Sequence, residues 1–90
     1  MLIHYHPQYK ADLRKLLKED KKLGGKLWEL ILDIDKYRDN PLSGSGKPEK
    51  LRGNYSDFFS RRINGKHRLI YRYEAEEIVL VSCYGHYQDR

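Results

Sequence analysis

The stretch at residues 58–71 reads FFSRRINGKHRLIY and predicts two strands joined by a tight turn. Apolar and polar residues alternate on both sides of Asn64-Gly65, a dipeptide that favours a type I′ hairpin turn. The stretch also carries four fixed cations and a histidine, whereas a solvated strand face usually mixes both signs of charge. The sequence therefore predicts a hairpin with a positively charged face that meets an anion.

Alternation along the two strands assigns their side chains to two faces. The apolar positions share one face, and these are Phe59, Ile63, Leu69 and Tyr71. Arg61 alternates with them on that face, while Arg62 and Arg68 project from the other. If the apolar face is covered by helices, the opposite face is free and basic, and an arginine there holds phosphate through a planar fork of N–H donors.

The rest of the chain contains the helices that are expected to cover the apolar face of the hairpin, and two further strands. Residues 2–6 predict a first strand, and Pro7 suits the first position of a helix. Two helices with apolar stripes follow, and Asp20 is the expected N-cap of the second helix. The stripes comprise Tyr9, Leu13, Leu16 and Leu17 in the first helix, and Leu23, Leu27, Leu30, Ile31 and Ile34 in the second. Residues 39–48 form a loop by composition, and residues 78–83 predict a buried strand.

These elements predict an α+β fold with a single domain over residues 1–90. We expect an antiparallel twisted sheet, made of the N-terminal strand and a C-terminal three-stranded meander, with an αα-hairpin packed on one face. The single cysteine, Cys83, excludes an internal disulfide and fits a reducing, cytoplasmic setting. The sequence contains no signal-peptide pattern and no long apolar run, so we expect no membrane association.

The positive charge is concentrated in the middle of the chain. The net charge is +5, and residues 47–68 hold seven Lys and Arg against two acidic residues. Such a cluster is typical of a surface that binds a polyanion, although a solubilising surface would have the same composition. The cations expected to contact nucleic acid phosphates are Lys47, Lys50, Arg52, Arg61, Arg62 and Lys66.

Four further side chains suggest chemistry at the basic face. Glu49 lies within the cationic segment, Arg68 begins the second hairpin strand, and His86 and Tyr87 follow a glycine at the end of the last strand. Taken singly, Glu49 is better read as a surface ion pair and His86 as an exposed terminal histidine. Together they are the groups that cut RNA without a metal, with the 2′-hydroxyl as nucleophile. No cofactor is expected.

The motifs GKPEKL at 46–51, SRRI at 60–63, HRLIY at 67–71 and CYGHY at 83–87 resemble the Txe/YoeB family of toxins. This family belongs to the RelE/ParE superfamily of bacterial type II toxin–antitoxin systems. The resemblance covers essentially the whole chain and implies an mRNA interferase that cleaves the message in the ribosomal A site. It implies that Glu49 is the general base, His86 the general acid, Arg68 the group that stabilises the transition state, and Tyr87 an orienting residue.

The resemblance also implies partners. These are mRNA, the ribosome with its 16S rRNA, and an antitoxin of the YefM or Axe type whose flexible acidic C-terminal segment covers the site. Operator DNA is contacted only through the antitoxin, and a homodimer is left open. The residues Gln88, Asp89 and Arg90 extend beyond the point where the family chain commonly stops.

Two other functions remain open from the sequence. One is a ParE-like gyrase poison, which shares the fold without the catalytic set. The other is a non-catalytic RNA- or ribosome-binding module, which should bind RNA at least as well without Glu49. Metal binding by His4 and His6, nucleophilic chemistry at Cys83 and base stacking by Trp28 are each weaker than a structural role. For Trp28 that role is a core or antitoxin-facing position.

Overall fold

The computed structural model describes residues 1–86 and contains five strands and two helices. In chain order the elements are β1 (Leu2–Tyr5), α1 (Pro7–Glu19), α2 (Leu23–Lys36), β2 (Glu49–Lys50), β3 (Phe59–Arg62), β4 (Arg68–Glu74) and β5 (Glu77–Ser82). A single 3₁₀ turn at Gly53–Tyr55 separates β2 from β3. The α+β class and the order of elements agree with the prediction, whereas β2 is too short for its alternation to be recognised in the sequence.

The five strands form one sheet in the order β1-β5-β4-β3-β2. Strands β2 to β5 pair antiparallel with their neighbours, so the predicted meander is present. The predicted antiparallel sheet is mixed at one edge, because β1 runs parallel to β5. Between these two strands the chain passes through both helices and the other three strands, so their pairing needs no tight turn.

The helices begin and end largely where the sequence signals lie. His6 caps α1 by accepting a hydrogen bond on Nδ1 from the Gln8 N–H at 3.0 Å. Asp20, expected to be the N-cap of the second helix, instead follows the end of α1, and its carboxylate accepts from the Lys22 N–H just before α2. The buried residues of α2 are the predicted stripe of Leu27, Leu30, Ile31 and Ile34.

The main core lies between the helices and one face of the sheet. The sheet contributes the buried residues Leu69, Tyr71, Ile78 and Leu80, the loop after β3 contributes Ile63, and the helices contribute Tyr9, Leu16, Leu30 and Ile34. This is the inward face predicted from alternation in the hairpin. Burial of apolar surface at about 25 cal/mol per Å² makes this layer the principal source of stability.

The opposite face of the sheet is only partly open. Ile70 and Val79 point away from the helices, yet they are 3% and 2% exposed. Segment 51–58 continues alongside β3, and Tyr55 and Phe58 line a cavity of about 230 Å³ that also includes Ile70. The prediction of a free outer face is therefore wrong at the centre of the sheet and holds near its edges, at His4 and near Arg62.

The hairpin between β3 and β4 is present, but its predicted type I′ turn is wrong. Arg62 pairs with Arg68, which leaves a five-residue loop at 63–67. Neither Asn64 nor Gly65 has a positive φ, as a type I′ turn would require. Instead, the Asn64 side-chain oxygen accepts hydrogen bonds from the N–H groups of Lys66 and His67, both at 2.9 Å. An asparagine that bonds its own loop replaces the tight turn.

Candidate active site

Two arginines face each other across the outer side of the hairpin. Arg62 and Arg68 are directly paired in the β3–β4 register, so their side chains leave the sheet on the same face. Arg62 is exposed, and Arg68 is half-buried with Nη1 donating to the carbonyl oxygens of Asn64 at 2.8 Å and His67 at 3.1 Å. The pKa of Arg68 is lowered from its ordinary value, mainly by burial and next by the charge of Arg62, whereas the charge of Glu49 raises it. An arginine keeps its charge under such shifts, so the pair presents two cations to solvent.

Glu49 lies on the same face of the sheet, at the edge strand. It pairs with Ser60, which is two residues before Arg62 and therefore shares its face. The side chain of Glu49 is exposed. With neighbouring strands about 4.8 Å apart, Glu49 on β2 and Arg68 on β4 are separated laterally by about 10 Å at the backbone, a gap that a phosphodiester group can occupy between two long side chains.

The backbone before Glu49 is shaped by two unusual residues. Gly46 has φ +80° and Lys47 has φ +46°, so the chain makes a local turn in the left-handed region before it enters β2. The carbonyl oxygen of Gly46 accepts a hydrogen bond from the Arg62 N–H at 2.6 Å. The turn therefore aligns Glu49 with β3.

The segment that follows β5 brings the backbone of His86 next to the start of β4. The Arg68 N–H donates to the carbonyl oxygen of Gly85 at 3.0 Å, which places the next residue, His86, beside the start of β4. His86 is half-buried. The structure thus brings Glu49, Arg68 and the backbone of His86 to one region of the sheet, while Tyr87 lies outside the described residues.

The C-terminal segment is held by a cluster that the sequence reasoning missed. His67 is 3% exposed, and its Nδ1 accepts a hydrogen bond from the Gly85 N–H at 2.9 Å. Its Nε2 lies 3.0 Å from Glu19 Oε1 at the end of α1, and Tyr84 donates its hydroxyl proton to Glu19 Oε2. The pKa of Glu19 is lowered from its ordinary value, mainly by the hydrogen bond from Tyr84 and next by the hydrogen bond with His67. The one available signal was the burial of His67 implied by alternation with Leu69.

Arg61 was expected to bind RNA, and the structure contradicts this. Its side chain is fully buried, and Nε donates to the Tyr71 hydroxyl at 2.9 Å. Its two terminal nitrogens donate to the carbonyl oxygens of Ser45 and Ser43, both at 2.8 Å, and to that of Pro41 at 3.4 Å. Arg61 lies on the inward face, as alternation predicted, and a buried cation is retained there because its N–H groups are occupied by internal oxygens.

The remaining predicted cations are exposed but differ in position. Lys47 and Arg52 flank β2, and neither is drawn into the core. Lys50 neighbours Glu49 in a strand, so it projects to the opposite face and lies apart from the arginine pair. Lys66 lies in the hairpin loop with its Nζ 3.8 Å from Glu19 Oε1, next to the cluster around His67.

The structure also shows the surroundings of the side chains that the sequence suggested for other functions. Cys83 is fully buried, and its N–H donates to the buried carboxylate of Asp12 at 3.0 Å. Trp28 is 50% exposed on α2, so a core position is excluded for it. Among residues 1–86, no group of three or more His, Cys, Asp or Glu side chains could hold a metal ion. In the same part of the chain, neither helix is long and apolar enough to cross a membrane.

Comparisons with known proteins agree with this architecture. The family described as YoeB-like toxin of bacterial type II toxin-antitoxin system matches residues 5–87. The chain is 44% identical over 69 residues to Toxin YoeB of Synechocystis sp., covering 77% of each chain. It is 35% identical over 85 residues to Toxin YoeB of Mycobacterium bovis, covering 94% of this chain and 96% of the relative.

Solved structures give the same result. The toxin in the YoeB–YefM heterotetramer from Staphylococcus aureus is 42% identical, with a TM-score of 0.81 over 97% of this chain and 99% of that one. The YoeB dimer from Staphylococcus aureus is 41% identical, with a TM-score of 0.83 over 97% and 98% of the two chains. With the family match extending over nearly all of its length, the chain belongs to the YoeB-like toxins of bacterial type II toxin–antitoxin systems.

Proposed function

We propose that this toxin is a ribosome-dependent endoribonuclease that cleaves mRNA in the ribosomal A site without a metal. The observation that carries the proposal is the shared position of Glu49, Arg62 and Arg68 on one face of the sheet, next to the backbone of His86. Two fixed cations with a carboxylate on one side and a histidine on the other match the charges that develop when a phosphodiester bond is broken.

The reaction proposed for this site uses the nucleophile that RNA itself carries. Glu49 removes the proton of the 2′-hydroxyl, whose oxygen attacks the adjacent phosphorus atom in line with the departing 5′-oxygen. The phosphorus–5′-oxygen bond breaks, and His86 gives its proton to that oxygen. Arg68 stabilises the additional negative charge on the phosphoryl oxygens, and Tyr87 orients the substrate. DNA lacks the 2′-hydroxyl and is bound without being cut.

Exposed cations around this face bind the RNA in this proposal. Arg62 contacts the phosphate next to the scissile one, and Lys47 and Arg52 contact the message or 16S rRNA farther along β2. Lys66 in the hairpin loop and Lys50 on the opposite face of the sheet serve the surrounding rRNA surface. Arg61 is excluded from this set because its guanidinium is occupied inside the protein. The exposed cations bind mainly through phosphate charge, so binding weakens as salt concentration rises.

A cognate antitoxin of the YefM or Axe type is the proposed regulator. The Staphylococcus aureus relative is found with YefM in a heterotetramer, which supports a similar complex for this chain. A flexible acidic segment complements the net charge of +5 and would cover the cationic face. Operator DNA is reached only through the antitoxin, and a toxin homodimer is supported by the Staphylococcus aureus dimer.

Primer extension on an mRNA in a translating extract tests this proposal. We expect discrete cuts at ribosome-occupied codons with the wild type and none with Glu49→Ala or His86→Ala. Addition of a metal chelator to purified toxin before assay should leave the cuts unchanged. Equal cleavage by all three proteins would refute the assigned roles.

Inhibition of gyrase is the second candidate function, favoured by the structural likeness to a protein described as YoeB/ParE toxin from Agrobacterium tumefaciens. That chain is 28% identical with a TM-score of 0.82 over 97% of this one. A supercoiling assay with purified gyrase separates the two functions. Inhibition of supercoiling together with intact mRNA would favour the gyrase function, and RNA binding without either activity would favour a binding module.

A further inference from the structure

We propose that His67 is a positioning residue, which fixes the peptide of Gly85 and thereby sets the position of His86 relative to Arg68. The inference rests on the proposed function, because it assigns His67 a role in the same reaction. His67 itself is buried and does not reach the RNA-facing surface. Its effect passes through the backbone of a single glycine.

The peptide groups of Gly85 are held on both sides by two consecutive residues, the last of the hairpin loop and the first of β4. The Gly85 N–H donates to His67 Nδ1 at 2.9 Å, and the Gly85 carbonyl oxygen accepts from the Arg68 N–H at 3.0 Å. Gly85 has φ +74°, a left-handed conformation that a helix or strand does not impose. These two hydrogen bonds therefore determine the direction in which the chain leaves Gly85 towards His86.

Glu19 determines which nitrogen of His67 carries the proton. Its Oε1 lies 3.0 Å from Nε2, so the imidazole donates there and keeps an unprotonated Nδ1 for the Gly85 N–H. Protonation of Nδ1, or the other neutral tautomer, would place a second donor opposite the Gly85 N–H and break that bond. A carboxylate at one ring nitrogen thus controls a backbone bond at the other.

The surroundings of His67 hold the ring and Glu19 in this arrangement. The Tyr84 ring lies against the imidazole, with ring centres 4.3 Å apart, and its hydroxyl group donates to the second oxygen of Glu19. Lys66 Nζ lies 3.8 Å from Glu19 Oε1, and Lys15 Nζ lies 5.0 Å from the centre of the Tyr84 ring. Within residues 1–86, these residues and Arg68 are charged or titratable groups that lie near the imidazole.

The chain before Gly85 has a separate anchor on the same helix. The Cys83 N–H donates to Asp12 Oδ2 at 3.0 Å, and Asp12 Oδ1 accepts from the Gln8 side chain at 2.8 Å. Because Asp12 already secures the end of β5 to α1, loss of the His67 bond should allow Gly85 and His86 to shift without unfolding the sheet. Positioning and stability can therefore be measured separately.

A pair of amide substitutions tests the bond to Gly85. In His67→Asn the side-chain oxygen can occupy the place of Nδ1 and accept from Gly85, whereas in His67→Gln the amide reaches the place of Nε2 and serves Glu19. We expect the single-turnover cleavage rate at saturating toxin to fall on the order of 100-fold in His67→Gln, the effect of a displacement of about 1 Å. The toxin concentration at half-saturation should not change. His67→Asn should recover at least tenfold of that loss.

Equal rates for the two amide variants, or rates that follow their melting temperatures, would overturn the positioning role. A second substitution covers the case in which His67→Gln does not fold. Glu19→Ala removes an exposed side chain and leaves Nε2 without its acceptor, so a fraction of His67 should adopt the other tautomer and the rate should fall severalfold. Glu29→Ala, at another exposed helical glutamate, is the matched control and should cleave at the wild-type rate.

Nuclear magnetic resonance of protein with ¹⁵N-labelled histidine decides the inference independently of cleavage. In the wild type we expect His67 to carry its proton on Nε2 only, and the Gly85 amide to exchange slowly with solvent. Glu19→Ala should mix the tautomers and speed the exchange. A wild-type His67 protonated on Nδ1 would refute the inference even if the protein cleaves RNA. The expected spectrum with no cleavage would refute the proposed function instead.

Discussion

The N–H of Arg68 and the carbonyl oxygen of Gly85 are joined by a 3.0 Å hydrogen bond, although 17 positions separate them in the chain. This bond extends the sheet past the end of β5 and sets the C-terminal segment next to the first residue of β4. The candidate site is therefore assembled from three remote parts of the chain, namely β2 with Glu49, the hairpin with its two arginines, and the segment that ends in His86. Each part is held by backbone hydrogen bonds, which fix the points from which these side chains extend.

Replacement of Arg61 by lysine should destabilise the protein. Lysine cannot reproduce the planar fork that serves Tyr71 and the carbonyl groups of segment 41–45, and each buried acceptor left unpaired costs about 1–3 kcal/mol. We expect the free energy of unfolding to fall by about 3 kcal/mol, measured by urea denaturation. Arg62→Lys is the matched control and should stay within about 0.5 kcal/mol of the wild type. A loss below about 1 kcal/mol for Arg61→Lys would contradict this account.

Replacement of Arg62 by alanine should weaken RNA binding without affecting the fold. Its side chain is exposed and faces Arg68 across the hairpin, so the change removes one phosphate contact. The plot of log affinity against log salt concentration should become shallower by about 0.7, the value for one contact to a single strand. Titration of a labelled 2′-O-methyl RNA at several salt concentrations measures this slope. An unchanged slope would place Arg62 outside the RNA interface.

Glu49→Gln should separate binding from cleavage. Loss of the proposed general base should lower the cleavage rate by about 10²- to 10⁴-fold, whereas removal of a negative charge from a cationic face should leave RNA affinity equal or higher. Rates on ribosome complexes and affinities for uncleavable RNA give the two quantities. Asp57→Asn, at the other acid of the basic segment, controls for charge alone and should retain cleavage. Equal loss of binding and cleavage would argue against the role of Glu49.

Tyr71 should make the stability depend on pH in the alkaline range. Burial raises the pKa of the Tyr71 hydroxyl group to about 12, with Arg61 acting in the opposite direction. The folded state therefore keeps a proton that the unfolded chain loses at about pH 10, so this contribution is complete below pH 10 and is lost as pH rises to about 12. The free energy of unfolding should fall by about 2 kcal/mol more in the wild type than in Tyr71→Phe across this interval. Parallel curves for the two proteins would contradict the raised pKa.

Gly46→Ala should disturb the approach of the chain to Glu49. A Cβ at this position would lie 2.8 Å from Leu30 Cδ2 and 3.0 Å from the Arg62 carbonyl oxygen, and φ is +80°. Strain of this kind costs about 1–3 kcal/mol, so we expect a lower melting temperature and slower cleavage. Gly65→Ala is the matched control, because its Cβ would meet nothing within 4 Å and its φ is not positive. Similar effects of the two substitutions would refute this reading of the loop.

The sequence by itself determined the features that depend on local periodicity. The helical stripes, the alternation of the hairpin and the order of the elements follow from side chains that neighbour one another along the chain, and all of these are present in the structure. Alternation also placed Arg61 inward and Arg62 outward. The charge pattern alone did not separate these two arginines, because it counts cations without regard to which face of the strand they leave.

Only the tertiary structure decided what the buried polar groups do. Arg61 is accommodated in the interior by carbonyl groups 16 to 20 residues away, and His67 is bonded to Glu19 across 48 residues. A hydrogen bond of this kind leaves no periodic signal in the sequence, because it depends on the angle and distance between elements that are far apart along the chain. The parallel pairing of β1 with β5 could not be predicted from the sequence for the same reason, since strand direction in a sheet is set by packing between distant segments.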